Sequence, residues 1–175
     1  THTSFNMSID VLDSERQLIE KNVDLAISEG ITKSSHIEYE PICTIEMPMV
    51  VSTQHKIADL KGEIPESQIL NYPQIIVKST GPAEVGDAGI LKGASRWTVS
   101  NFLAKKTLLL QGLGWGRMPD HLVKEEIDRG ALKILDVQYQ NQTSVTLYKA
   151  RRKHDNYGKI SQYLWEQLSG LSVLE

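Results

Sequence analysis

Short extended runs alternate with short helical runs along this chain, and that alternation decides its fold class. Met7, Ile9 and Val11 occupy every second position, with Ser8 and Asp10 between them, the period of a strand over about residues 7–12. Ser14-Glu15-Arg16-Gln17 matches a capping box, in which Ser14 and Gln17 answer each other's amides. It opens a short helix over roughly 15–22 that turns Leu18 and Ile19 inward. Val23 to Ser28 is again extended. Strand, short helix and strand in so few residues read as a βαβ unit with parallel strands.

The same alternation continues. Residues 37–52 are extended, and Pro41 and Pro48 interrupt them, so at least one strand here is an edge or is broken. A short helix or turn surrounds Pro65, and Gln74 to Lys78 is a strand. Ser79 to Ala94 carries Gly81, Gly86, Gly89 and Gly93, a loop of the length and composition that is often functional. Arg96 to Val99 is extended. Ser100 or Asn101 caps a helix running to about Gln111, which buries Phe102, Leu103, Leu109 and Leu110 and ends at Gly112 and Gly114. Pro119 opens the next helix and Gly130 stops it. Strands at Leu132–Leu135 and Ser144–Lys149 follow, and a last helix from about Asp155 to Ser169 turns Tyr157, Ile160, Leu164 and Leu168 inward. The whole pattern predicts an α/β fold with a largely parallel sheet.

Composition narrows the function classes. With 175 residues, 40 % hydrophobic and 23 % charged, the chain suits one globular domain or two small lobes. No apolar run approaches the roughly 18 residues of a membrane helix, and no secretory signal is visible. Cys43 stands alone, which fits a reducing compartment. A net charge of −3 removes the usual electrostatic footprint of a DNA-binding domain.

Several motifs invite chemistry and do not sustain it. Gly112-Leu113-Gly114-Trp115-Gly116 would need a strand before it to cradle phosphate, but a helix precedes it, so it reads as a helix–helix turn whose glycines take positive φ. His121 and Glu125, with Asp120 beside them, make half a metal site with no second pair, so they read as a solvated helix face and no metal is expected. The polar side chains of His36-Ile37-Glu38-Tyr39-Glu40 read as a solvent-facing strand edge. The basic run Lys149 to His154 reads as a solvated connection. No Gly-x-Ser-x-Gly elbow and no His-Glu-x-x-His occurs, so no catalytic residue is assigned and no cofactor is implied.

Polar groups at strand ends are more informative, because open α/β sheets bind ligands beyond the carboxyl ends of their strands. Asp13 and Ser14, Ser28 and Glu29, Ser52 and Thr53, and Ser79 and Thr80 each follow an extended run. Ser100 and Asn101 begin a helix, whose unpaired amides attract an anion, and Arg96 adds charge. Together they outline a cleft for a small polar or anionic ligand.

The stretch Val99 to Leu132 resembles the effector-binding domain of LysR-type transcriptional regulators. There a helix leads to Gly-Leu-Gly, then a residue pair, then a Pro opening a helix that ends in Gly before a strand. This chain has Leu109-Leu110-Gln111-Gly112-Leu113-Gly114 through Pro119-Asp120-His121-Leu122-Val123, then Gly130-Ala131-Leu132. Leu18-Ile19 followed by Val23-Asp24-Leu25-Ala26-Ile27, and Val50-Val51 leading to His55, match in order and spacing. Trp115 is bulkier than the aliphatic residue expected at its place.

The resemblance implies two Rossmann-like α/β lobes of the type 2 periplasmic-binding-protein kind, joined by two crossing strands. Lobe one would take residues 1–51 and 144–175, and lobe two residues 52–143. The expected ligand is a small-molecule effector between the lobes. It would meet Ser79, Thr80, Ser100 and Asn101 of lobe two, Ser28 and Glu29 of lobe one, and Ser52 and Thr53 at the crossing. The resemblance further implies a cytoplasmic homodimer or homotetramer, with no membrane partner. It would contact DNA only through an N-terminal helix-turn-helix that this sequence does not show. On the same comparison, the strand and helix that open the family's domain are expected to be missing from this sequence. Two alternatives share the fold: a periplasmic-type solute-binding protein, and an enzyme using Glu29 and Arg96 as facing groups.

Overall fold

A computed structural model describes residues 14–29, 34–78, 90–140 and 143–169. The strand expected over 7–12 and most of the glycine-rich segment, with Ser79 and Thr80, lie outside the described residues. In chain order the elements are α1 (Ser14–Ile19), β1 (Leu25–Ser28), β2 (Ile37–Glu46), β3 (Met49–Ser52), a 3-10 helix (Lys56–Asp59), α2 (Glu66–Ile69), β4 (Gln74–Val77) and β5 (Arg96–Val99). They continue with α3 (Phe102–Leu110), β6 (Trp115–Arg117), α4 (Asp120–Asp128), β7 (Leu132–Ile134), β8 (Ser144–Arg152) and α5 (Lys159–Leu168).

The chain divides into two compact units. Among the described residues, unit one takes those up to Cys43 and from Thr146 onward, and unit two takes Thr44 to Val145. The strands β2 and β8 each hold residues of both units.

Unit one is built on a sheet of order β1-β8-β2, with β1 and β8 antiparallel and Ser28 opposite Tyr148. Pro41 does not interrupt β2, which continues through it. Among the described residues β2 lies at the sheet edge, the place where a strand tolerates proline. Pro48 is the proline that separates two strands. Leu18, Ile37 and Ala150 form the core here, and Trp165 of α5 is buried against Lys149 and Arg151 of β8. Of the residues expected to turn inward, Tyr157, Leu164 and Leu168 are half-buried, and the expectation fails at Ile160. Ile160 is 48 % exposed, and Trp165 is the buried residue.

Unit two is built on a five-stranded sheet of order β5-β4-β6-β3-β7. β4 runs parallel to β5 and β6, and β3 runs antiparallel to β6 and β7. Four strands therefore point one way and β3 points the other. Both sheets carry antiparallel pairs, which corrects the expectation of a largely parallel sheet. The reason lies in the connections. Helical crossovers α3 and α4 return the chain to the same direction. β3 instead enters directly from β2 through Met47-Pro48, with no crossover.

All four residues of β3 are buried, as a strand covered on both faces must be. Met49 and Val51 pack with Ile57, Ile69, Trp115 and Val137 on one face. Val50 packs with Ile75, Leu109, Met118 and Val123 on the other, under α3 and α4. Leu103 was expected in this core and is 76 % exposed, because it lies across the helix from Leu109. Among the described residues no helix is long and apolar enough to cross a membrane.

Candidate functional site

The strand polarity sorts the predicted residues of unit two. β5 ends at Val99, and Ser100 and Asn101 follow it at the carboxyl end of the four like-directed strands. Asn101 is extended, with φ −157° and ψ 169°, and its side chain accepts from the Ala104 amide at 2.8 Å, so it is the N-cap of α3. Its amide nitrogen donates to Ser100 Oγ at 3.4 Å. Both side chains are exposed. Lys78, just past β4, donates its backbone N–H to Val99 at 2.9 Å and so brings the two strand ends together.

Ser52 and Thr53 are at the other end of the sheet. Val51 pairs with Trp115 and Ser52 with Leu132, the first residues of β6 and β7. Thr53 Oγ1 donates to the Gly130 carbonyl at 2.9 Å, and Ser52 Oγ accepts from the Gln54 amide at 3.2 Å. These contacts fasten a turn. Arg96 opens β5 and so belongs to the same amino end, away from Ser100. His55 is there too. Its Nδ1 accepts from the Ile57 amide at 3.1 Å, its ring meets Tyr72 edge-on at 4.8 Å, and burial holds its pKa below the usual value.

In unit one, Ser28 is buried at the end of β1 and donates from Oγ to Glu15 Oε1 at 2.9 Å. Glu29 follows it, and neighbouring protein removes enough water to raise its carboxyl above the usual range. Tyr39 accepts from the Ser34 amide at 3.1 Å and stands edge-on to Tyr148 at 6.3 Å. Loss of water and the Glu15 carboxylate push its hydroxyl up to about 12. So the end of β1 gathers Ser28 and Glu29 with Glu15, Tyr39 and Tyr148. The strand Ile37–Glu40 is not merely a solvated edge, since Glu38 pairs with Arg151 at 2.8 Å and Glu40 with Lys149 at 2.7 Å.

The basic run is likewise not a solvated connection. Lys149 is 2 % exposed, donates to the Trp165 carbonyl at 3.0 Å, and lies 4.2 Å from the Trp165 ring centroid. Arg152 ties Leu18 and Val23 carbonyls to Asp24 and Asp155. Lys153 and His154 alone of the run are exposed. A polar cavity of about 330 Å³ lies beside them, lined by Glu38, Arg151, Asp155 and Tyr157. Its arginines are already matched by carboxylates. His121, Asp120 and Glu125 are exposed on α4, and the described residues hold no group of three or more His, Cys, Asp or Glu fit for a metal ion.

Gly112-Leu113-Gly114-Trp115-Gly116 is not a helix–helix turn, because it runs straight into β6. Only Gly112 takes positive φ, +68°. Trp115 is fully buried, and its indole N–H donates to the Ile69 and Tyr72 carbonyls at 3.0 and 3.1 Å. Its extra bulk is core.

Sequence reading missed Lys105. It is 5 % exposed on the inner face of α3, beside Gly116. Burial first, and then the Arg117 charge, lowers its pKa to about 7. The signal was present: Lys105 lies three residues after Phe102 and four before Leu109, on the apolar face.

A family model described as the LysR substrate binding domain matches residues 2–170. Among solved structures, the chain is similar to the regulatory domain of the LysR-family regulator MetR from N. meningitidis. The identity is 20 % and the TM-score 0.68, covering 89 % of this chain and 72 % of that one. It is similar to the CcmR regulatory domain from Synechocystis in complex with 2-PG, at 17 % identity and TM-score 0.69, covering 89 % and 76 %. It is also similar to the effector-binding domain of QuiR in complex with shikimate, at 18 % identity and TM-score 0.67, covering 89 % and 75 %.

Proposed function

The chain belongs to the LysR substrate-binding-domain family, and we propose that it is the effector-sensing part of a LysR-type regulator, binding a small polar or anionic metabolite. The observation that carries this reading is the capped start of α3. Ser100 and Asn101 stand at the carboxyl ends of parallel strands, where such sheets bind ligands, and the helix end beside them favours negative charge. Ser79 and Thr80 follow β4 in sequence and belong to the same proposal, as do Ser28 and Glu29 at the end of β1. Ser52 and Thr53 stand at the amino ends of β6 and β7 and are left out of it. Three of the similar solved structures are bound to 2-PG, to shikimate and, in LysG from Corynebacterium glutamicum, to Arg. Effector chemistry therefore varies on this fold and has to be argued from each chain's own residues.

In this reading the domain works in the cytoplasm as a homodimer or homotetramer, and DNA contact belongs to a helix-turn-helix ahead of the effector-binding domain. Binding acts by its differential affinity for two conformations of the regulator. Calorimetry against small carboxylates, phosphorylated metabolites and neutral polar compounds should find a binder. Ser100→Ala should weaken it about three- to tenfold, the share of one hydrogen bond, without lowering the melting temperature. A binder indifferent to Ser100→Ala would move the site away from the start of α3.

A further inference from the structure

We propose that Lys105 Nζ is the group in unit two that recognises an oxyanion, so that the effector carries a carboxylate or phosphate seated at the first turn of α3. The inference rests on the effector-binding reading and names its ligand class.

Most of the other buried or half-buried cations here are met by acceptors. Lys149 has Glu40 and the Trp165 carbonyl, Lys106 has Glu126 and the Leu122 carbonyl, and Arg117 donates to the Met47 carbonyl and to Gln140. Lys105 is different. It is 5 % exposed, and among the described residues no hydrogen bond or ion pair reaches its Nζ. Its neighbours are the Phe102 ring, with the centroid at 6.0 Å, the backbone of Gly116, and the like charge of Arg117. An ammonium largely withdrawn from water with no acceptor beside it is costly, and methionine or leucine would fill the same space without that cost. A lysine so far withdrawn into the fold without an acceptor calls for a reason.

The direction of the side chain supplies one. Side chains on a helix lean toward its N-terminus. Nζ lies near Phe102, the first residue of α3, and over Gly116, one residue before the carboxyl end of β6. A Cβ on Gly116 would fall 2.9 Å from Lys105 Cε and 3.2 Å from Nζ, so the glycine is what makes room for the amine. The charge is thus held beneath the first turn of a nine-residue helix. Asn101 there satisfies only the Ala104 amide, and the earlier first-turn amides have no partner within the helix. Positive helix end and ammonium lie together, which is the chemistry of an oxyanion seat. A neutral ligand would leave the ammonium unmatched, and a cationic group there would be repelled.

The test uses the full chain with inorganic phosphate, succinate and glucose as probes. Heats of binding are measured for wild type and Lys105→Met, and the Lys105 side-chain resonance is followed by NMR in the wild type. Phosphate, succinate or both should bind, move that resonance to saturation, and lose about tenfold or more in affinity in Lys105→Met. Which of the two binds separates a phosphate ligand from a carboxylate one, and either supports the inference. Anion binding that leaves the resonance unmoved and survives Lys105→Met would overturn it while leaving the effector site intact. Binding of glucose alone, weakened by Ser100→Ala, would do the same. If no probe gives heat or moves the resonance, the oxyanion seat is refuted.

Discussion

Lys105 and Lys149 are buried to nearly the same degree and differ in what meets their charge. The Lys149 ammonium has a carboxylate, a carbonyl and an aromatic face. Lys105 has neither carboxylate nor carbonyl and only the more distant Phe102 ring, and its pKa falls from 10.5 to about 7. That difference has a consequence for stability. Between pH about 7 and 10.5 the unfolded chain holds a proton at this residue that the folded chain has released. Stability contributed here therefore rises with pH across that window, and below about 7 the folded state carries the full cost of the buried charge. Lys105→Met removes the cost, so it should be the more stable protein below pH 7, by an amount on the order of a few kcal/mol. The gap should close as pH climbs. Urea unfolding of both proteins across that range measures it, and a gap independent of pH would mean the ammonium is not desolvated as described. Below the pKa the charge is present for a ligand, so the residue that weakens the fold is also the one equipped to bind an oxyanion.

At the scale of an element, β6 shows how three glycines in one short run can have different reasons. Gly112 turns the chain out of α3 at φ +68°, with no atom closer to a Cβ there than Ser52 Cβ at 3.8 Å. Gly114 and Gly116 have ordinary backbones and no room. A Cβ on Gly114 would be 2.3 Å from the Pro73 carbonyl oxygen, and one on Gly116 would be 2.6 Å from that of Ile75. Gly112→Ala should therefore cost about 1 kcal/mol from backbone strain. Gly114→Ala and Gly116→Ala should reach or exceed the top of the roughly 1–3 kcal/mol range for overpacking, since a strand carbonyl cannot step aside. Adding Lys105→Ala to Gly116→Ala relieves the contact with Cε and leaves the tighter one with Ile75, so it should not restore stability. Chemical denaturation of the four variants gives the order, and rescue by Lys105→Ala would show that the lysine alone demands the glycine. The glycine run was visible in the sequence as a stop to α3. The strand after it was not, because three residues, Trp115, Gly116 and Arg117, carry too little alternation to declare themselves. Lys105 was hidden for a related reason. A Lys-Lys pair reads as a solvated face until the spacing to Phe102 and Leu109 is counted.

Across the whole molecule, the sequence exposed what is local and left out what depends on where the chain comes from. The α/β alternation, the cap at Asn101, the stop at Gly130 and the order of family motifs are written in neighbouring residues. The direction of β3 is not, since nothing in Met49-Val50-Val51-Ser52 states whether the chain enters the sheet through a helix or straight from β2. That one direction separates Ser52 and Thr53 from Ser100 and Asn101, so it governs which end of unit two meets a ligand. Amide hydrogen exchange reads the two ends separately. With inorganic phosphate, the amides of Phe102, Leu103 and Lys78 should slow, while those of Thr53 and Ala131 should not. For amides that exchange through local opening, such slowing reports contact with the anion and not global stability. At a phosphate concentration about a hundred times its Kd, openings that expel the ligand are opposed by about 2.7 kcal/mol, close to a hundredfold in rate. The slowing should vanish in Lys105→Met. The same map made with the effector that calorimetry identifies tests Ser28 and Glu29 on their own. Protection that fell at Thr53 and Ala131 would put the ligand at the amino ends of the strands and remove α3 from the site.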